Sequence, residues 1–397
     1  MSLLFQPSQN IIRLKESATL AVAAKARALK AAGKAVIDLG AGEPDFDTPA
    51  FIREAAAEAM AAGHTRYTAT EGILPLREAI AADANRIQVQ GTPVTPAEVV
   101  VSNGSKQSLY NACVCCFGPG DEVLVPTPSW TSYYEMIELA RAVSVPVFGD
   151  AANSLKVSAE QLAAAATPRT KGLMLNSPSN PTGAVYSREE LSAIFTLAAE
   201  RGWWVIADEI YLRIAYEGGA QSALEVAPTR DNLIIINGVA KAYAMTGWRI
   251  GWSIAPVALS KAMNAFQSHT TSNASSVSQH AAVAAIARRE EADVAVNAMV
   301  QSFRERRDAV VTALSAFPSV RYVHPAGAFY VYINVEGFRG AADPGAAFAA
   351  AVLDEYGVAV VPGGAFLTPG WVRASYATTQ SVAVDGVTRI AQCLTRV

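Results

Sequence analysis

Lys241 and Arg249 stand in a run of small and apolar residues, 238–251, that opens on Gly238 and closes on Gly251. A lysine amine forms a Schiff base with a carbonyl cofactor only where it can be reached, and Gly238 and Ala240 leave room beside it for a ring. Arg249 can hold a phosphate on that ring; the alternative is a solvated helix face, on which Lys and Arg are equally at home. Asp208 ends a second apolar run, Trp203 to Ala207, with Tyr211 three residues on. A carboxylate at a buried strand end needs a partner. The protonated ring nitrogen of a bound cofactor would supply one, and a helix N-cap is the other use that Asp favours.

Four further segments place polar groups just after apolar runs. Residues 102–107 join a short strand to a helix, where free backbone amides and the helix dipole at Gly104, Ser105 and Lys106 suit a phosphate. The octet 176–183 contains Asn180 in what reads equally as a tight turn. Trp130 follows the strand beginning at Glu122, and it can be core or a flat surface for a ring to stack on. Arg373 lies on a strand of apolar and small residues, and its planar fork suits bidentate binding of a carboxylate.

These residues must be positioned by a large scaffold. Of 397 residues 51% are hydrophobic and 17% charged, which predicts a globular chain with a large core and more than one lobe. Lys plus Arg total 32 against 35 for Asp plus Glu, a net charge of -3, giving no reason to expect nucleic acid or an anionic membrane as partner. Cys113, Cys115, Cys116 and Cys393 make no disulfide framework and read as reduced core thiols. No Cys/His spacing fits a metal, and none is assigned. Residues 1–10 lack a basic region followed by an apolar run, and no segment has the length of a membrane span, so the expected compartment is the cytoplasm.

Short apolar runs alternate with helical patterns from about Val99 to Pro256, which predicts an α/β fold with a mainly parallel central sheet covered by helices. The expected strands are Val99–Ser102, Glu122–Val125, Val143–Phe148, Gly172–Leu175, Trp204–Ala207, Leu233–Ile236 and Gly251–Ala255. Each candidate site segment of the sheet follows one of them, at the carboxyl ends where such sheets bind ligands. A helix at Ser17–Ala32 and a short strand at Val36–Leu39 precede the sheet. One long helix from about Ala281 to Phe317 follows it, then a smaller sheet from Gly327–Val335, Gly357–Pro362 and Trp371–Tyr376 with a helix at Ala346–Tyr356. This predicts a large lobe of residues 48–289 and a smaller α+β lobe of residues 1–47 and 290–397.

Taken in order, these segments resemble the class I aminotransferases, which bind pyridoxal 5'-phosphate (PLP) on the fold type I scaffold, and most of all the bacterial subgroup of aspartate and aspartate/prephenate enzymes. The likeness rests on residues 238–251, Asp208 to Tyr211, the octet around Asn180, the Gly104–Lys106 helix start, residues 14–19, 41–49 and 271–273, and Arg373. It implies a Schiff base at Lys241, which also moves the substrate α-proton. Asp208 would face the ring nitrogen, Tyr211 and Asn180 the 3-oxygen, and Trp130 the ring face. Gly104, Ser105, Lys106 and Arg249 would hold the phosphate, with Tyr67 reaching it from the neighbouring subunit of a homodimer. Arg373 would bind the α-carboxylate, completed by Gly42, Asn180 and Trp130, and Lys15 with Lys106 would meet a side-chain carboxylate. The implied reaction moves an amino group from L-aspartate to 2-oxoglutarate. A related subgroup uses an arginine near the position of Ser268 for dicarboxylates, so aromatic, prephenate-type or neutral amino acids, or a PLP lyase, are the alternatives. A non-catalytic PLP-binding regulator would be expected to carry a DNA-binding segment, for which there is no room before Lys15, and an NAD-binding protein lacks its glycine fingerprint here.

Overall fold

The computed structural model describes residues 5–12, 14, 18–88 and 91–396. Strands in chain order are Ile37–Asp38 (β1), Val99–Ser102 (β2), Glu122–Thr127 (β3), Val143–Phe148 (β4), Thr170–Asn176 (β5), Trp204–Asp208 (β6), Leu233–Gly238 (β7), Gly251–Ile254 (β8), Tyr322–Val323 (β9), Tyr330–Asn334 (β10), Val358–Ala359 (β11), Val361–Pro362 (β12) and Trp371–Ser375 (β13). The strands β2 to β8 form one sheet in the order β2-β8-β7-β6-β5-β3-β4. Every neighbouring pair from β4 to β7 is parallel, and β8 runs antiparallel to both β7 and β2. The expected strands of this sheet are all present; β2 and β4 coincide with expectation and the others differ at their ends by one or two residues.

Both faces of this sheet are covered, which is why its strands read as continuous apolar runs rather than alternating ones. Along β6 the side chains divide by the two-residue period of a strand. Val205 and Ala207 enter one buried cluster, with Leu173, Leu175, Leu233 and Ile235. Ile206 enters the other, with Val123, Val125, Met174 and Ile234. Parallel neighbours require a crossover, and the one between β5 and β6 is helix Arg188–Arg201. It opens on a reciprocal capping box between Ser187 and Glu190 and ends at Gly202, whose φ of 66° lets the chain turn back.

A third cluster lies beside a four-stranded antiparallel sheet, β12-β13-β10-β9, and a parallel pair, β1 with β11. The C-terminal half of the chain corrects three expectations. The helix expected from Ala281 to Phe317 is two helices, Ser276–Ala287 and Arg289–Ser315, separated at Arg288 (φ -84°, ψ 63°). The break redirects the chain so that Ala292 and Val296 still pack on the main sheet while Met299, Phe303, Val310 and Leu314 fill the other core. The segment expected as one strand at Gly357–Pro362 divides into β11 and β12, which join different sheets, and β9 is an additional strand. All four cysteines are unpaired; Cys113 and Cys393 are buried, Cys115 and Cys116 partly so. Burial pushes the Cys113 thiol up to about 12, leaving it unreactive at neutral pH. Among the described residues no helix is long and apolar enough to cross a membrane.

Candidate active site

The antiparallel β8 brings its start to the same edge as the ends of its neighbours, since Gly251 pairs with both Ser102 and Gly238. Lys241, after β7, therefore meets Arg249, before β8, and the helix Ser105–Cys116 that follows β2. That packing is close: a Cβ on Gly251 would lie 2.2 Å from the Ser105 amide nitrogen, so only glycine fits. A cavity of about 550 Å³ opens at this edge. Ten of the expected residues line it: Gly42, Ser105, Lys106, Trp130, Asn180, Asp208, Tyr211, Lys241, Arg249 and Arg373.

Lys241 donates to the carbonyl of Gly42. Burial, partly offset by Glu43 and reinforced by Arg373 and Arg249, pushes its amine down to about 8. Its Nζ stands 6.0 Å from the Tyr211 ring and 5.9 Å from that of Phe329. Asp208, the last residue of β6, is buried, and this desolvation raises its carboxyl to about 6 against the pull of its hydrogen bonds. Those bonds come from Tyr133 Oη at 2.6 Å and the Ile210 amide at 3.1 Å. No helix begins at Asp208, so the N-cap reading does not hold: the Ile210 amide bond belongs to a turn, and the other oxygen is held by a distant tyrosine.

The Gly104–Lys106 helix start and Arg249 form one electropositive corner. Gly104 has φ 84°, and a Cβ there would lie 2.5 Å from Arg249 Nη2. Ser105 gives its hydroxyl proton to the Asn237 carbonyl at 2.9 Å, so that oxygen faces other groups as an acceptor while its amide remains at the helix start. Lys106 Nζ lies 4.6 Å from the Trp130 ring, and burial followed by Arg249 lowers its amine. Trp130 in turn meets Tyr133 edge-on with centroids 5.5 Å apart.

Arg373 is 1% exposed on β13 and reaches across to the main sheet. Its Nη1 donates to Asn180 Oδ1 at 2.9 Å and its Nη2 to the Gly40 carbonyl at 3.0 Å, while the buried Nε has no partner among the described residues. Tyr211 and Tyr330 share a hydrogen bond of 3.0 Å. Among the described residues, Gly104, which abuts Arg249, and Tyr67 do not line this cavity. Tyr67 is 91% exposed elsewhere, and Lys15 lies outside the described residues. Tyr133, Tyr330, Asp38 and Glu43 belong to the site but were not expected. Tyr133 carries a signal in its spacing, one helical turn after Trp130; Tyr330 carries none, because a tyrosine inside an apolar run reads as core.

The sequence pattern of the family "Aminotransferase class I and II" matches residues 34–390, nearly the whole chain. The chain belongs to that family. The aspartate aminotransferase of Streptomyces avermitilis is 46% identical over 397 residues, covering 98% of this chain and 96% of that protein. The aspartate/prephenate aminotransferase of Cereibacter sphaeroides is 45% identical, covering 96% of this chain and 97% of that protein. The structure of Thermus thermophilus aspartate aminotransferase with maleate superposes with a TM-score of 0.93 at 40% identity, covering 98% of this chain and all of that one. This aminotransferase therefore has the fold type I architecture expected for it, and the cavity lies where that architecture gathers its strand ends.

Proposed function

We propose that this aminotransferase binds PLP and moves the amino group of L-aspartate to 2-oxoglutarate. One observation carries the reading: an amine pushed down to about 8, Lys241, shares one cavity with a buried carboxylate, Asp208, and a buried guanidinium with an orphan donor, Arg373. The residues present fit the cofactor. Among the described residues Asp208 has no ion pair, and it would gain one from a ring cation; the Gly104–Lys106 amides and Arg249 would hold the phosphate; Tyr211 and Asn180 would meet the 3-oxygen; Trp130 would cover the ring. When bound, PLP would supply an electron sink for the bond broken at the substrate α-carbon.

The chain's own groups do the rest. Arg373 binds the α-carboxylate through its buried fork, where the removal of competing water strengthens the pairing. Asn180 and Gly42 border the same place. Lys241, neutral for an appreciable fraction of time near pH 8, takes the α-proton on Nζ and holds it there for return. Tyr133 and the Ile210 amide keep Asp208 ionised against its own desolvation, so that it can hold a proton on the ring nitrogen.

For the substrate, the aspartate names of relatives across nearly the full chain support a dicarboxylate. Lys106, and Lys15 by resemblance, would meet its distal carboxylate. The aspartate/prephenate name of the Cereibacter relative favours a second reading in which prephenate also serves. Ser268, where a related subgroup has arginine, is exposed and among the described residues bonds only its own helix at Ala265, so it offers no cation to a distal carboxylate. Steady-state assays of aspartate, prephenate-glutamate exchange, phenylalanine and alanine test both. Aspartate should exceed alanine and phenylalanine in kcat/KM, and Lys106→Ala should depress aspartate turnover selectively; equal losses for all amino donors would remove the dicarboxylate assignment.

The same reading makes the protein a homodimer, with Tyr67 directed to the phosphate of the neighbouring subunit, which suits its 91% exposure in the single chain. It also divides the chain into lobes of residues 48–289 and of 1–47 with 290–397. The buried clusters support that division in the main, with Leu39 in the C-terminal one, although Ala292 and Val296 pack in the cluster of the large lobe and Tyr211, Ile214 and Tyr216 in the other.

A further inference from the structure

The loop that carries Gly40 and Gly42 reaches the cavity from the smaller sheet, and a single carboxylate governs its first turn. Leu39 is clamped on both sides, donating to Ala359 at 2.9 Å and accepting from Ser375 at 2.7 Å. Beyond it the chain leaves the sheet at Gly40. A glycine restrains its own backbone less than any other residue. A Cβ there would lie 3.1 Å from Val22 Cγ1 and 3.3 Å from Asp38 Oδ1, so any larger residue would require these side chains to give by a few tenths of an ångström. The direction of the Gly40 carbonyl must therefore be set from outside.

Asp38 supplies that restraint. It ends β1, lines the cavity, and accepts from the Gly40 amide on Oδ1 at 2.9 Å. The carbonyl of the same Gly40 accepts from Arg373 Nη2 at 3.0 Å. Asn180 takes Nη1, so the guanidinium plane is defined by two anchors, one of them a carbonyl on the turn that Asp38 holds. Among the described residues Asp38 makes no ion pair with Arg373, so its influence passes through the backbone. We propose that Asp38 is a positioning residue for the substrate α-carboxylate: it fixes the Gly40 turn, and that turn aims Arg373. The inference rests on the reading of Arg373 as the carboxylate anchor.

The test uses PLP-loaded enzyme with the variants Asp38→Ala, Asp38→Asn and Arg373→Ala. Three quantities are read for each: kcat and KM for L-aspartate, maleate affinity by calorimetry, and the thermal midpoint. Loss of one orienting hydrogen bond predicts a rise of roughly five- to tenfold in KM and in the maleate Kd of Asp38→Ala, with kcat changed by less than about twofold. Asp38→Asn keeps an oxygen that accepts from the Gly40 amide and should restore both. Asp38→Leu, which keeps bulk without an acceptor, replaces the alanine variant if that one does not fold. Unchanged KM and maleate affinity in Asp38→Ala would overturn the proposal while leaving the proposed function intact, as would an asparagine variant as impaired as the alanine one. An Arg373→Ala enzyme with wild-type KM would instead overturn the anchor itself.

Discussion

Lys241 and Asp208 are both displaced by burial, in opposite directions, and each displacement is a statement about stability as well as chemistry. Without cofactor, burial holds the Lys241 amine down at about 8 in the folded chain against 10.5 for an ordinary lysine. Its burial cost is therefore fully present below pH 8, shrinks between 8 and 10.5, and is gone above that range. Lys241→Met should abolish transamination, by roughly 10³-fold or more, yet stabilise the cofactor-free protein at pH 7 by up to about 3 kcal/mol. Thermal melts from pH 7 to 10.5 would check this, since the gain must fall as pH rises. Asp208 has the opposite form: its carboxyl is raised from 3.8 to about 6, so the folded chain holds the proton longer and loses stability as pH rises through that window. Tyr133→Phe removes a bond that keeps this carboxylate ionised. The acid limb of the pH–rate profile should then move upward and kcat fall by about tenfold, the worth of a hydrogen bond to a charged group; an unmoved limb would deny Tyr133 that role. Lys241 and Asp208 were legible in the sequence because each is a polar group at the end of an apolar run. Tyr330 was not, and Tyr133 offered only its one-turn spacing from Trp130, because nothing else in an isolated sequence separates a tyrosine that packs from one whose hydroxyl is spent on a distant partner.

At the scale of elements, the site is made by strand ends, and the strands of the main sheet were legible because both of their faces are buried. The direction of β8 was not. An antiparallel strand flanked by two that run the other way has the same apolar run as a parallel one, yet this reversal is what sets Arg249 beside the helix start at Ser105. The break at Arg288 was equally hidden, since arginine is a good helix former and neither Gly nor Pro marks the site. What decides it is tertiary: the second helix must serve two cores. The close approach of helix start and Arg249 gives a prediction at this scale. Gly104→Ala would add a Cβ 2.5 Å from Arg249 Nη2 at a φ of 84°. The flexible guanidinium can move away, so the fold should persist while the phosphate corner is spoiled, and PLP affinity in a fluorescence titration should fall about tenfold. Wild-type affinity would mean that this corner does not hold the phosphate.

For the whole molecule, the two sheets have separate cores, and Arg373 crosses between them to Asn180. Its side of the cavity is thus built by both ends of the chain, from Gly40 to Arg373, and the likeness to known aminotransferases along residues 34–390 accounts for that arrangement better than any local pattern. The exposed Tyr67 extends the same logic to a second copy. Sedimentation should show a dimer, and Tyr67→Phe should weaken PLP binding without dissociating it; a monomer of full activity would contradict the shared site. The most direct test of the central claim is the visible absorption of the purified protein loaded with PLP, recorded before and after L-aspartate is added without an acceptor. The expected result is a yellow band that is lost with aspartate, returns with 2-oxoglutarate, and loses this response in Lys241→Ala. A band indifferent to aspartate would contradict the substrate, and no band even with added PLP would contradict the assignment of Lys241 and the cavity around it.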